Sequence, residues 1–200
     1  MANMYSKTTL SNADEAGTAG IIRGTDGPDF IKGTAGDDDI RGFASGDTLF
    51  GRGGNDILKG GEGIDLLRGG AGDDTLRGGT DNDDLRGGSG SDSLKGAKGN
   101  DTLRGGAGDD FLTGGRGEDL LVGGEGADTF FVSSDGECDI VTDFNFEEGD
   151  RINAVGFTIL SVSYDTFTDT STAEFDNNND GLVDGCMQVN GLLDPIAIII

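Results

Sequence analysis

The chain has 200 residues, enough for one domain or two small ones, and carries 39 glycines against 2 prolines. Its formal net charge of −24 makes nucleic acid and anionic membranes poor partners for the chain as a whole, and hard cations good ones. Histidine is absent, which excludes an imidazole zinc site, a Ser-His-Asp triad and a Cys-His dyad.

The amino end, Met1 to Ala19, has no apolar core of the length a secretory signal needs. No apolar run reaches transmembrane length, so no transmembrane segment is expected. Residues 1–23 read as a lead-in. From Gly24 a nine-residue period begins and runs through twelve units to Phe131, without insertion or deletion. Position 1 is glycine in every unit: Gly24, Gly33, Gly42, Gly51, Gly60, Gly69, Gly78, Gly87, Gly96, Gly105, Gly114 and Gly123. Position 6 is aspartate in every unit: Asp29, Asp38, Asp47, Asp56, Asp65, Asp74, Asp83, Asp92, Asp101, Asp110, Asp119 and Asp128. Position 8 is always apolar: Ile31, Ile40, a leucine at every ninth residue from Leu49 to Leu121, then Phe130. A period this strict separates the segment from glycine-rich linkers, which have none.

Each unit predicts a short strand at positions 7 to 9, with position 8 inward and its neighbours outward. Positions 1 to 6 must then turn sharply, and glycine supplies the left-handed conformations that other residues resist. Position 4 is glycine in ten units; Asp81 is a tolerable exception and Ser45 a weaker one. One inward side chain per nine residues is a thin core, too thin to offset the entropy of ordering so much glycine. Something further must bind the folded state.

Units such as Gly69-Gly70-Ala71-Gly72-Asp73-Asp74-Thr75-Leu76-Arg77 follow the pattern G-G-x-G-x-D-x-U-x. On this pattern residues 24–131 resemble the RTX, or hemolysin-type, calcium-binding nonapeptide repeats. The resemblance implies an all-β fold: a right-handed parallel β-roll, a β-solenoid of twelve nonapeptide repeats with two repeats to a turn. It also implies Ca²⁺ ligands, namely the carbonyls of positions 1 to 4 and the position-6 aspartates of two stacked turns. Twelve units paired two apart allow up to ten inter-turn sites. Stacked carboxylates ~5 Å apart repel by about 1–3 kcal/mol per pair, and a cation between them reverses that sign.

Position 9 is basic in eight units: Lys32, Arg41, Lys59, Arg68, Arg77, Arg86, Lys95 and Arg104. Stacking sets Arg68, Arg86 and Arg104 on one face, and Arg41, Lys59, Arg77 and Lys95 on the other. Two readings stand. Outward charge keeps sheet edges from associating, or the ladder docks an acidic polysaccharide, similar to repeat modules of secreted alginate-modifying enzymes.

Residues 132–200 form a third region. The run Asp139 to Phe144, followed by Asp150-Arg151-Ile152, resembles the capping region after the repeats of RTX proteases and related exported proteins. A β cap is physically required at a solenoid end, with Phe144, Phe146, Ile152, Phe157 and Ile159 as candidates. Asp176, Asn178, Asp180 and Asp184 fall at loop positions 1, 3, 5 and 9, with Gly181 at 6. Met187 at position 12 rules out an EF-hand, leaving an accessory calcium loop or an Asn/Asp turn. Met187 to Asn190 alternates as a strand. The spacing of Cys138 and Cys186 leaves their pairing open. The carboxyl end, Asp194 to Ile200, resembles a type I export signal, which implies a secreted, extracellular protein and the type I export machinery as partner.

The expected function is a secreted, non-enzymatic calcium-binding protein that folds on meeting extracellular Ca²⁺. Met1 close to the first unit favours a stand-alone protein. The alternatives are a glycan-binding or targeting module of an exported enzyme of protease, lipase or alginate epimerase type, or a calcium-dependent adhesin or matrix component.

Overall fold

In the computed structural model the nine-residue period becomes two parallel sheets visited alternately by the chain. Residues 8–10, 20–131, 133, 137–154, 158–165, 170–176, 185–190 and 198–199 are described. One sheet contains the strands Asp29–Lys32, Thr48–Gly53, Leu66–Ala71, Asp84–Ser89, Thr102–Ala107 and Leu120–Glu125. The other contains Ile21–Arg23, Asp39–Phe43, Ile57–Glu62, Thr75–Thr80, Ser93–Lys98, Phe111–Arg116 and Thr129–Phe131. Leu67 pairs with Leu85 and Leu85 with Leu103, while Leu58 pairs with Leu76 and Leu76 with Leu94. Units two apart therefore stack, and two nonapeptides complete each turn of a parallel β-solenoid.

The strands are longer than the sequence suggests. Ile57–Glu62 and its stacked neighbours run six residues, from position 7 through position 3 of the next unit. Alternation then puts two residues inward, the position-8 apolar side chain and the position-1 glycine. All twelve position-8 side chains are buried, and Ile22, Val141 and Ile152 extend their two columns.

Positions 1, 2 and 4 need glycine for different reasons. Position-1 glycines do not take the left-handed conformation; Gly42, for instance, faces the Asp47 carboxylate and the Gly60 carbonyl, and a Cβ there would collide with the first. The left-handed conformation belongs to positions 2 and 4. Ser45 (φ 69°) and Asp81 (φ 75°) adopt it at position 4 without being glycine.

Beyond Phe131 the stacking continues without the glycine period. Cys138–Val141 pairs in parallel with Leu120–Glu125, and Arg151–Asn153 with Thr129–Phe131. Gly185–Asn190 adds to Cys138–Val141, followed by the antiparallel strands Thr170–Asp176 and Thr158–Asp165. Cys138 and Cys186 stand opposite each other in register and are joined by a disulfide. Phe144 packs against Phe130, ring centroids 6.2 Å apart, and Ile152 is buried. Phe146 corrects the expectation, because it is 53% exposed and takes no part in the core. Phe157 and the side chain of Ile159 lie outside the described residues.

The core prediction follows from this packing. Leu85→Ala should cost about 2–5 kcal/mol, and Phe146→Ala less than about 0.5 kcal/mol, in urea unfolding with calcium present. Comparable losses would contradict the packing described.

Candidate metal centre

The turns bring the position-6 aspartates into two columns of nearly inaccessible carboxylates, each 0–3% exposed. Each column is a hydrogen-bonded ladder. Asp29 N–H donates to Asp47 Oδ1 at 2.8 Å, Asp47 to Asp65 at 2.7 Å, and Asp65 to Asp83 at 2.8 Å. The second column repeats this from Asp38 to Asp56 (2.8 Å), Asp56 to Asp74 (2.8 Å) and Asp74 to Asp92 (2.7 Å). One carboxylate oxygen is thus consumed by the neighbouring turn.

The second oxygen has a different environment. Oδ2 of Asp47, Asp56, Asp65, Asp74, Asp83, Asp92, Asp101, Asp110 and Asp128 is buried and receives no hydrogen bond. Beside it stand the position-1 glycine of its own unit and, two units on, the carbonyl of another: Gly60 for Gly42, Gly69 for Gly51, Gly105 for Gly87. A buried carboxylate oxygen without a donor is costly. Carboxylate and carbonyl oxygens drawn together where a Cβ would collide with them suit a hard cation, which such oxygens serve. Among the described residues no three Cys, Asp or Glu side chains converge as a ready metal cluster. A cation here would therefore depend on backbone carbonyls, as the glycine turns provide.

Asp29 and Asp38 differ from the rest. Their Oδ2 atoms accept hydrogen bonds from the backbone N–H of Thr25 and Thr34, each at 2.6 Å, and from the two hydroxyls at 3.1 and 3.0 Å. Two aspartates outside the glycine period join the columns instead. Asp139 Oδ1 accepts from Asp119 N–H at 3.2 Å, and Asp150 Oδ1 from Asp128 N–H at 2.9 Å. Their signal is an aspartate two residues before a buried apolar one, Asp139 before Val141 and Asp150 before Ile152. Position 5 adds an outer ladder that sequence reasoning missed: Asn55 N–H donates to Asp37 Oδ1 (2.7 Å) and Asp73 N–H to Asn55 Oδ1 (3.0 Å). Of the accessory-loop candidates, Asp176 is buried at a strand end, while Asn178, Asp180 and Asp184 lie outside the described residues.

Burial dominates the electrostatics. It pushes Asp56, Asp65, Asp83, Asp92, Asp101 and Asp110 up to about 7, and Asp47, Asp74 and Asp128 to about 6. The N–H bonds of the ladder oppose this shift, and neighbouring carboxylates add to it. An unfolded aspartate titrates near 3.9. Without metal, the folded state therefore holds more protons than the unfolded one between about pH 4 and 7, and that stabilisation fades as pH rises through 6–7. In excess chelator, far-UV circular dichroism should show more strand at about pH 5 than at about pH 8. A flat or inverted profile would contradict the desolvated columns.

The profile of the RTX calcium-binding nonapeptide repeat, which spans four copies, matches residues 23–58, 59–94 and 95–130. That family is associated with secreted calcium-binding repeat proteins. No curated protein matches the chain. Among solved structures the chain is similar to a subunit of the Azotobacter vinelandii mannuronan C5-epimerase, with 28% identity and a TM-score of 0.35, covering 64% of this chain and 78% of that one. It is also similar to the extracellular lipase LipA from Serratia marcescens, with 21% identity and a TM-score of 0.48, covering 88% of this chain and 40% of that one. With more than half of its length matched by the repeat profile, the chain belongs to the RTX calcium-binding nonapeptide repeat family.

Proposed function

We propose that this calcium-binding repeat module folds around Ca²⁺ held between its stacked turns and serves as a binding or targeting module of an exported protein. The carrying observation is the row of buried aspartate oxygens left without donors beside glycine carbonyls of the next turn. The position-6 aspartates and position-1 glycine carbonyls would hold the ions. Bound calcium supplies positive charge and takes six to eight oxygen ligands. Magnesium is a poor substitute, because it demands tight octahedral geometry and keeps its waters.

The proposed architecture is a right-handed roll, the hand that parallel crossovers favour. It starts at residue 24 after the lead-in, runs one turn past residue 131, and ends in a β cap within 132–200. Export by the type I route rests on the resemblance of residues 194–200. The accessory loop is not carried into the proposal.

The module reading replaces the stand-alone one because the two faces of the roll differ in charge. On one face Asp84 takes up the cations: Arg86 Nη2 lies 2.7 Å from its carboxylate and Arg104 Nη1 3.4 Å, while Arg68 sits over the Phe50 ring. On the other, Lys59, Arg77 and Lys95 stack in register and line a groove with Lys98 and Arg116. Among the described residues none of these five is in an ion pair. The expected ligand, an acidic polysaccharide, thus fits the Lys59 face rather than the Arg68 face. Residues 24–131 carry 22 acidic and 11 basic side chains. About six bound Ca²⁺ would therefore carry the roll past neutrality and let a polyanion approach.

Two measurements test these readings. Chelated protein at neutral pH should lack strand signal and regain it cooperatively at about 10⁻⁴–10⁻³ M calcium; full β content in excess chelator would sink the calcium reading. Alginate binding should require calcium and weaken with salt. It should drop when Lys59, Arg77 and Lys95 are all changed to Gln, and change little with Arg68, Arg86 and Arg104 changed instead. Equal behaviour of the two triple variants would refute the assignment of the face.

A further inference from the structure

Ten turns share a backbone conformation that the first two lack. In those ten the residue at position 2 has a positive φ, from 89° at Phe43 to 141° at Gly79. Glycine fills most of these positions, but Phe43, Arg52 (φ 93°) and Ala97 (φ 100°) hold the same conformation with a Cβ, a strained state. Such strain persists where the surroundings impose it. In the first two units position 2 is Thr25 and Thr34, and no residue from 24 to 41 has a positive φ. A β-branched residue resists the left-handed region, so these two turns fold the other way.

The two conformations have opposite consequences for the aspartate four residues on. With an ordinary φ, the threonine N–H points at Oδ2, 2.6 Å away in both units, and the hydroxyl adds a second bond. The hydroxyl also clasps the turn, accepting from Gly36 N–H at 3.1 Å in the case of Thr34. With a left-handed φ that N–H does not reach the carboxylate, and Oδ2 is left buried without a donor, from Asp47 to Asp110 and at Asp128. Backbone angle and the partner of Oδ2 thus go together at Asp29 and Asp38 on one side, and at Asp47 to Asp110 and Asp128 on the other; at Asp29 it is Oδ1, with no turn before it to donate, that is left without a partner.

We infer that position 2 decides which units take a cation: a left-handed residue leaves Oδ2 to the ion, and threonine closes the turn on its own amide and hydroxyl. The first two units are then ion-free ends of the roll, a division that rests on the calcium reading above. The ligand class is a hard divalent cation, and the controlling residues are Thr25 and Thr34.

The test is calcium stoichiometry by equilibrium dialysis on the full chain, with folding followed by circular dichroism. The double variant Thr25→Gly, Thr34→Gly should bind about two more ions than the parent. Phe43→Thr, which biases an already substituted position towards closure, should bind about one fewer. Thr25→Val with Thr34→Val keeps the β-branch and the amide, and should match the parent. A parent that binds calcium with the same count as the double glycine variant overturns this inference and leaves the calcium reading intact. A gain in the valine variant overturns it too, since control would lie in the hydroxyl. A parent that binds no calcium removes both readings.

Discussion

The structure depends on a carboxylate that is buried with half of its hydrogen-bonding capacity spent. One oxygen of each mid-roll aspartate accepts the backbone N–H of the turn before it, and this fixes the register of the stack. The other lies against a glycine and a carbonyl, with no donor in reach. Position 1 must be glycine because the carboxylate occupies the space a side chain would need. The thin apolar column can hold two sheets together but cannot offset ionised carboxylates packed behind it. The buried carboxylates thus favour whatever neutralises them, protons or, on the reading proposed above, cations.

Such a preference suits the export route proposed for this protein. On the proposed calcium reading, the interior charge would act as a brake where calcium is scarce and as a binding surface where it is plentiful. Most of the unit is devoted to making the site, and position 8 alone to making a core. Outward positions 7 and 9 remain free for a second purpose, and the two sheets use them differently. One sheet sets Arg86 and Arg104 against Asp84; the other pairs Arg41 with Asp39 but leaves Lys59, Arg77 and Lys95 out of ion pairs among the described residues.

Much of this was legible in the sequence because three columns are invariant within the chain. The glycine, aspartate and apolar positions located the buried columns, and the resemblance to a known repeat supplied the two-unit turn. Strand length was not legible, since glycine at positions 1 and 2 disfavours strand by itself and stays in the ladder only through tight stacking. The place of Asp139 and Asp150 in the columns escaped notice because they fall 20 and 22 residues after their partners instead of 18, with no glycine five residues before them to mark the unit. The distinction between Thr25 or Thr34 and the glycines at the same position is one of backbone angle, which a consensus pattern conceals. The pairing of Cys138 with Cys186 needed knowledge of which strands are neighbours. The unequal charge of the two faces required the contacts of Asp84.

Units stack every eighteen residues while the pattern repeats every nine, so the chain is read by two different rulers. Removing or adding two adjacent units shortens or lengthens the roll and leaves everything downstream on its original face. Removing one transposes the downstream part by half a turn. A nine-residue deletion between Lys59 and Arg77 would remove Arg68, move Arg77 and Lys95 to the opposite sheet and bring Arg86 beneath Lys59 in their place. The nonapeptide pattern and the buried aspartates would survive such a change intact. The surface composition of each face is thus protected by parity, and growth of the array is neutral for its exterior only in even steps.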